Sequence, residues 1–195
     1  MNNAICVDPF PSLIWKYKFN FRFPEWKAKL YLHSENNTSH SYLEEGDSYS
    51  SVSSQDQPIH LWDELNEFRI WLPNIIKQNC KYHCFKDKQY TILNSWFNIH
   101  RPSGKTLEHY HNKTDLVVTC YLDKPQNTGN IEFRDPLEYH KSNTSIEPEE
   151  LLWKEVDCKT NDILIFPGWV RHRTQPNRGD KDRVVMTINI GSYEF

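Results

Sequence analysis

Three histidines and one arginine are the residues of this chain best suited to chemistry. His109 and His111 are two positions apart, so on a strand both side chains point to the same face. His172 follows a run of apolar residues at 163–166 that predicts a buried strand, and Arg183 opens another apolar run. Neutral imidazole binds iron, zinc, copper and nickel. The three histidines therefore predict a metal site with open coordination positions.

An arginine beside such a site suggests an anionic co-substrate. The guanidinium fork of Arg183 suits bidentate binding of a carboxylate better than a lysine would. The alternative interpretation is a surface arginine paired with Asp180 or Asp182, which are close in sequence. Three further polar residues on predicted strands could hydrogen-bond a small acid or satisfy buried backbone groups: Asn98, Tyr121 and Thr187, which shares a strand face with Arg183.

A carboxylate is the usual third ligand, because non-haem iron oxygenases generally use two histidines and one acid. Glu108 would point away from the His109 face of a regular strand. Asp115 lies beyond a predicted turn and could reach the metal only through loop geometry, so a turn or cap role explains it better. His111 occupies the place where the usual His-x-Asp motif has its acid. We therefore predict His109, His111 and His172 as ligands, with Asp115 as the substitute for His111.

The composition indicates one strand-rich domain spanning residues 1–195. Aromatic residues make up 14% of the chain and there are only six glycines, which favours strands over a helical bundle. The net charge of −3 and the lack of a basic run argue against nucleic acid or an anionic membrane as partner. No apolar stretch is long enough to cross a bilayer. Five cysteines without a recognisable signal peptide suggest reduced thiols and an intracellular, cytoplasmic location.

The apolar patterning predicts many short strands and one helical region. Residues 61–82 have helical periodicity, with Pro73 expected to kink or split the helix. Residues 33–58 are polar and predict a long loop insert, either a lid over the site or a disordered segment. The predicted strands are one or two within 5–23 and others at 90–100, 116–122, 131–134, 151–158, 162–166 and 183–190. This order is typical of a mainly β jelly roll or cupin-like double-stranded β-helix, with one or two helices packed outside.

Several of these segments resemble a family of 2-oxoglutarate/iron(II) oxygenases that is common in phages and marine microbes. The resemblance covers roughly residues 90–190, with a further similarity at 10–15, and its motifs are SWFNIHRPSG, HYH, ILIFPGW, QPNR and the Asp-Arg pair at 182–183. It implies a double-stranded β-helix that binds Fe(II) through His109, His111 and His172. It also implies 2-oxoglutarate as co-substrate, with its far carboxylate on Arg183. Two departures are Asn112, where proline is usual, and the Thr-Cys pair at 119–120, where Ser-Gly is usual.

The expected function is therefore a 2-oxoglutarate-dependent Fe(II) dioxygenase, a hydroxylase of a small molecule or peptide that releases succinate and CO2. Two alternatives remain open. A three-histidine cupin-type dioxygenase would need no keto acid, and Arg183 would then bind the carboxylate of the substrate itself. A non-catalytic binding protein could also use the same barrel. Structural zinc at Cys80 and Cys84 is disfavoured, because the four ligands of such a site usually come from two clusters.

Overall fold

A computed structural model describes residues 14–37, 41–52, 58–83, 88–137 and 152–192. These residues form two α-helices, α1 (Phe23–Asn36) and α2 (Asn66–Tyr82). They also form eleven strands: β1 (Trp15–Lys18), β2 (Glu44–Glu45), β3 (Ser48–Ser50), β4 (Tyr90–His100), β5 (Lys105–Thr106), β6 (Leu116–Asp123), β7 (Ile131–Arg134), β8 (Trp153–Val156), β9 (Asp162–Pro167), β10 (His172–Thr174) and β11 (Arg183–Ser192).

Two antiparallel sheets face each other to build the barrel. The larger has the order β1-β9-β6-β11-β4-β3, and the smaller has the order β10-β7-β8. A third pair, β2 with β5, lies beside His100, because Glu44 of β2 and Thr106 of β5 both contact this histidine. All strand pairings are antiparallel. The mainly β fold and the double-stranded β-helix predicted from the sequence are confirmed.

The larger sheet is buried on both faces, so its central strands are mostly apolar, and the polar residues Thr119, Thr187 and Asn189 of β6 and β11 line a cavity. Along β6, Val118, Cys120 and Leu122 belong to the core beneath the helices, while Val117 and Tyr121 belong to a second core between the two sheets. Successive side chains of a strand point to opposite faces. The inward-facing residues of β4, β6 and β11 can therefore line one cavity although they are far apart in sequence.

Both helices pack on the outer face of the larger sheet. Helix α2 contributes Phe68, Leu72 and Ile76 to this core, at the spacing expected for one face of a helix. It runs through Pro73 without interruption, so the predicted split is wrong, and two 3₁₀ turns occupy the first residues of the predicted span. Helix α1, which buries Trp26 and Leu30, was not predicted.

The segment predicted as a polar loop contains three short pieces of regular structure. Helix α1 extends to Asn36, β2 pairs with β5, and β3 pairs with β4. The loop insert over residues 33–58 stays a prediction. Residues 38–40 and 53–57 lie outside the described part. The same holds for residues 5–13 of the predicted N-terminal strands, of which β1 is the described strand; Phe23, at the end of that prediction, instead starts α1.

The other predicted strands are confirmed at β4, β6, β7, β9 and β11, and β8 is shorter than predicted. Cys80, Cys120 and Cys158 are free thiols, as expected from the cysteine count, whereas Cys6 and Cys84 lie outside the described residues. None of the described helices is both long and apolar enough to cross a membrane. The single domain over residues 1–195 stays a prediction.

Candidate metal centre

Main-chain hydrogen bonds bring the two histidine-bearing segments together. The amide of His109 donates to the carbonyl of His172, and the amide of His172 donates back to His109, each at 3.0 Å. The amide of His111 donates to the carbonyl of Gly168 at 2.8 Å. His109 therefore forms one isolated β-bridge with His172 of β10, and residues 109–111 are not one of the strands of the described fold. The predicted convergence of the three histidines does not depend on a strand at these residues.

The three imidazole rings share one small volume. Their centroids are 4.2 Å apart for His109 and His172, 5.1 Å for His109 and His111, and 5.2 Å for His111 and His172. One ring nitrogen from each lies within 4.8 Å of the other two. Two metal–nitrogen bonds of about 2.1 Å span up to about 4.2 Å. A modest rotation of the side chains thus places all three nitrogens on a single ion.

Hydrogen bonds fix which nitrogen of each ring faces this volume. The Nδ1 atoms of His109 and His172 lie 2.8 and 2.9 Å from the carbonyl oxygens of Leu107 and Val170. Nδ1 of His111 lies 2.6 Å from Oδ1 of Asn189. Because these oxygens only accept, each Nδ1 carries the proton and each Nε2 keeps its lone pair. This is the arrangement that orients metal-ligating histidines in proteins.

The environment keeps the three rings neutral. Burial and the neighbouring imidazoles lower the pKa of His172 well below its usual value. Burial, then His109, lowers the pKa of His111 to about 4, and burial lowers the pKa of His109. The buried Nε2 of His111 has no hydrogen-bond partner among the described residues. A buried acceptor without a partner is costly, and a metal ion would satisfy it, so the residues present fit such an ion.

The nearby carboxylates do not take part in this cluster. Oδ2 of Asp115 accepts from the backbone amide of Ser192 at 2.8 Å, so Asp115 pins the end of β11 as the turn or cap interpretation expected. Its role as a substitute ligand for His111 is not supported. Glu108 points away from the histidines, as predicted, and binds Arg134 and Arg171 at 2.9 and 2.8 Å.

The histidines open into a cavity of about 270 Å³ between the two sheets. Polar residues that the sequence put forward as co-substrate ligands line this cavity: Asn98 on β4, Tyr121 on β6 and Thr187 on β11. These three residues lie close together because β11 pairs with β4 on one side and with β6 on the other. In both pairings Val185 is the residue opposite, facing Asn98 of β4 and Tyr121 of β6. All three side chains are buried. Oδ1 of Asn98 has no hydrogen-bond partner in the described part of the chain.

Arg183 is 1% exposed and lies behind His100 and Thr174, two residues that line the cavity. Its Nη1 donates to the carbonyls of Thr128 and Gln175, its Nη2 to Oγ1 of Thr174 at 2.9 Å, and its Nε to Nδ1 of His100 at 3.4 Å. Burial lowers its pKa to about 10, so it remains a cation at neutral pH. No carboxylate of the described residues lies within salt-bridge distance of it.

These contacts overturn two expectations about Arg183. It is not a surface arginine paired with Asp180 or Asp182, since Oδ2 of Asp182 instead accepts from the hydroxyl of Tyr31 at 2.6 Å. It also does not present a free fork. A guanidinium has five N–H donors, and four are occupied, which leaves one at Nη2 for a ligand rather than the predicted pair.

Thr174 is a cavity residue that the sequence prediction missed. Its Oγ1 accepts from Nη2 of Arg183 and from the backbone amide of Thr106 at 2.8 Å. With both lone pairs used, its hydroxyl proton is left to donate to a ligand. Thr174 lines the cavity with His172, two residues before it on β10. That spacing on one strand face was the sequence signal that could have identified it.

Glu44 and His100 were missed as well. His100 ends β4, two residues after Asn98, and is 1% exposed; Glu44 comes from β2, and both line the cavity. Burial lowers the pKa of His100, so this imidazole is neutral too. His100 could have been identified from its strand spacing to Asn98. Nothing in the sequence near Glu44 indicates a place inside the barrel.

Aromatic side chains surround the outer side of the metal site. Trp96 stacks on His111 with centroids 5.8 Å apart and lines the cavity. Tyr110 and Trp169 are 51% and 52% exposed and line a surface groove that reaches His111. This groove connects solvent with His111.

Solved structures share this fold across nearly the whole chain. A prolyl-4-hydroxylase from Pseudomonas putida superimposes with a TM-score of 0.64 at 8% identity, covering 93% of this chain and 94% of that one. HygX from Streptomyces hygroscopicus, solved with nickel and 2-oxoglutarate, gives 0.60 at 9% identity over 95% and 85%. The viral collagen prolyl hydroxylase vCPH of Paramecium bursaria Chlorella virus 1, a 2-oxoglutarate complex, gives 0.60 at 11% identity over 93% and 97%. At such identities these likenesses establish the fold.

Three imidazoles that converge inside a double-stranded β-helix form a candidate non-haem metal site. Residues 94–189, which carry the three histidines and Arg183, match the model of the family described as "Putative 2OG-Fe(II) oxygenase". The matched stretch is 96 of the 195 residues, and it identifies an oxygenase domain that depends on Fe(II) and 2-oxoglutarate. A comparison with curated protein sequences gave no match.

Proposed function

We propose that this enzyme is a dioxygenase that hydroxylates a small molecule or a peptide and releases succinate and CO2. The observation that carries the proposal is the convergence of three neutral, largely buried imidazoles on one cavity, two of whose lining residues, His100 and Thr174, hydrogen-bond to the buried Arg183. His109, His111 and His172 would hold Fe(II) through Nε2. When bound, the iron would supply the redox chemistry that couples decarboxylation of the keto acid to oxidation of a C–H bond.

The cavity suits a short dicarboxylic acid. Its volume of about 270 Å³ is below the range of about 300–1,000 Å³ that is usual for drug-sized ligands. We assign the far carboxylate of 2-oxoglutarate to the free N–H of Arg183 and to the hydroxyl of Thr174. Charge-assisted hydrogen bonds of this kind are the strong ones. Tyr121, Thr187 and Asn98 would complete the polar wall along the body of the co-substrate.

The substrate would approach from the opposite side, along the groove lined by Tyr110 and Trp169. These exposed rings would cover the reacting centre when a substrate packs against them and would so exclude water from it. Trp96, stacked on His111, would keep this imidazole in place. Among the described residues that line the groove, no charged side chain is as deeply buried as Arg183. The groove therefore indicates no particular charge on the substrate.

An anaerobic titration with Fe(II) and 2-oxoglutarate tests the proposal without knowledge of the substrate. A keto acid chelated to Fe(II) absorbs weakly in the visible, and we expect this band in the wild type. The variant His172→Ala should lose it. His60→Ala is the matched control, since His60 is a half-buried histidine that does not line this cavity. A flat spectrum at saturating 2-oxoglutarate would refute the proposal and favour a non-catalytic binding protein.

Product analysis separates the remaining alternative. In air, the Fe(II) enzyme should convert 2-oxoglutarate to succinate slowly even without substrate, and His172→Ala should not. A three-histidine dioxygenase that needs no keto acid would form no succinate. It would also leave Arg183 to a carboxylate of the substrate itself.

A further inference from the structure

The guanidinium of Arg183 is connected to a buried carboxylate through a neutral imidazole. Nε of Arg183 lies 3.4 Å from Nδ1 of His100, and Nε2 of the same ring lies 3.0 Å from Oε2 of Glu44. Resting on the function proposed above, we propose that His100 and Glu44 are positioning residues. They hold Arg183 so that its one free N–H points at the far carboxylate of 2-oxoglutarate, and they thereby set the affinity for this dicarboxylic co-substrate.

The direction of each hydrogen bond between Arg183, His100 and Glu44 is fixed. An arginine Nε can only donate, so Nδ1 of His100 must accept and Nε2 of the ring must carry the proton. That proton is shared between Oε2 of Glu44 and Oγ1 of Thr106, which lies 2.8 Å away. The hydroxyl of Thr106 donates onward to Glu44 at 2.9 Å. Every group along the path has one role, so the hydrogen bonds define a single orientation of the ring.

The three side chains that form this series of hydrogen bonds are shielded from water. The side chains of His100 and Glu44 are 1% and 5% exposed, and Arg183 is 1% exposed. A buried cation needs hydrogen-bond partners and a compensating charge nearby. The other partners of Arg183 are neutral: two carbonyls on Nη1 and a hydroxyl on Nη2. Glu44 is thus the carboxylate in the described site that balances Arg183, and His100 transmits its orientation to Nε.

Glu44 reaches the site from outside the barrel. It lies on β2, which pairs with β5, and its Oε1 also accepts from Nδ2 of Asn98 at 3.2 Å. Its neighbour Glu45 points outward and pairs with Lys105 at 2.9 Å. The segment that appeared from sequence to be a polar loop therefore supplies part of the inner wall of the co-substrate pocket.

Two keto acids distinguish positioning from simple electrostatics. 2-Oxopentanoate has the same chelating end as 2-oxoglutarate but no far carboxylate. Removing the negative charge of Glu44 would, by charge alone, tighten binding of the more anionic 2-oxoglutarate. The positioning role requires the opposite: in Glu44→Gln one of the two accepting oxygens becomes an NH2 donor, which cannot accept from Asn98 or from His100, so Arg183 loses its fixed support. We expect Glu44→Gln and His100→Phe to raise the dissociation constant for 2-oxoglutarate by about tenfold or more. The dissociation constant for 2-oxopentanoate should change by less than about twofold.

Both constants come from anaerobic titration of the Fe(II) protein, followed by the visible band. Glu45→Gln is the control on the same strand and should bind both acids as the wild type does. His100→Asn retains an acceptor close to the position of Nδ1 and should recover part of the loss seen with His100→Phe. A ratio between the two ligands is unaffected by a fall in active fraction, so partial unfolding of a variant does not imitate the effect.

Three results would overturn the inference: unchanged or tighter 2-oxoglutarate binding in Glu44→Gln, equal weakening of both acids, or no difference between His100→Phe and His100→Asn. These leave the proposed function intact. The proposed function itself fails at an earlier step, if the wild type shows no band with 2-oxoglutarate or binds it no better than 2-oxopentanoate, and the inference then falls with it.

Discussion

Acidification of the metal-free enzyme should destabilise it through the three clustered imidazoles. Burial holds each ring neutral in the folded protein, and neighbouring imidazoles add to this effect at His111 and His172, whereas each ring is free to protonate in the unfolded chain. The unfolded state therefore binds more protons below the ordinary histidine pKa. Stability from this source is fully present above about pH 6.5 and is lost as the pH falls toward the depressed folded-state pKa values.

His111 sets the expected size of the effect, since its pKa falls from 6.5 to about 4. A shift of this size corresponds to a loss of about 2 kcal/mol of unfolding free energy at about pH 5, and of about 3 kcal/mol once the pH is below both values. His109 and His172 shift in the same direction and add to it. A loss of about 2 kcal/mol is a large part of the stability of a domain of ordinary size.

Urea unfolding in the presence of a chelator measures this loss at about pH 7 and about pH 5. The comparison is between the wild type and His111→Gln, because contributions of groups elsewhere cancel in the difference. We expect the wild type to lose about 2 kcal/mol more than the variant over this range. Ni(II) added to the wild type should restore stability at the lower pH, since it competes with protons for the same lone pairs. Equal losses in the two proteins would refute the argument that His111 is held neutral.

Three further predictions concern the groups around the metal and the co-substrate. Asn189→Ala should weaken Ni(II) binding by about 10–100-fold, because Nδ1 of His111 loses its partner; Asn189→Asp keeps an acceptor, and equal loss in both variants would contradict this reason. Arg183→Met should weaken the binding of 2-oxoglutarate by about 10–100-fold and leave the binding of 2-oxopentanoate unchanged in the same titration. Weaker binding of both acids would argue against a role at the far carboxylate. Gly129 has φ +75°, and an added Cβ would lie 2.7 Å from the carbonyl oxygen of Gln175 and 3.0 Å from Nη1 of Arg183. Gly129→Ala should thus cost about 1–2 kcal/mol in urea unfolding and weaken 2-oxoglutarate, and wild-type behaviour in both assays would show that Arg183 tolerates the displacement.

The sequence predicted those parts of the molecule that depend on local pattern. Strands β4, β6 and β11 have apolar runs long enough to identify, and their inward-facing residues could be chosen by alternation. The spacing of His109, His111 and His172 was sufficient to predict a metal site. Helix α1 was missed because few of its residues are buried, which leaves a weak periodic signal.

The positions of Glu44 and of the two carbonyls beside Arg183 could not have been predicted in this way. Glu44 is 56 residues from His100, and the hydrogen bond between them depends on how β2 lies across the barrel end. The carbonyls of Thr128 and Gln175 belong to turns whose backbone positions no side-chain pattern encodes. The expectation of a free guanidinium fork failed for this reason: the residue was correctly placed, but its surroundings come from four separate parts of the chain.

The two backbone hydrogen bonds between His109 and His172 affect how the entrance of such an enzyme can change in evolution. Main-chain hydrogen bonds hold these two ligands next to each other. Because such bonds do not involve side chains, the neighbouring side chains can vary without breaking them. Tyr110 and Arg171 alternate with the ligands and point outward. Evolution can therefore replace these two residues, and so alter which molecules dock at the entrance, while the iron-holding framework is inherited unchanged.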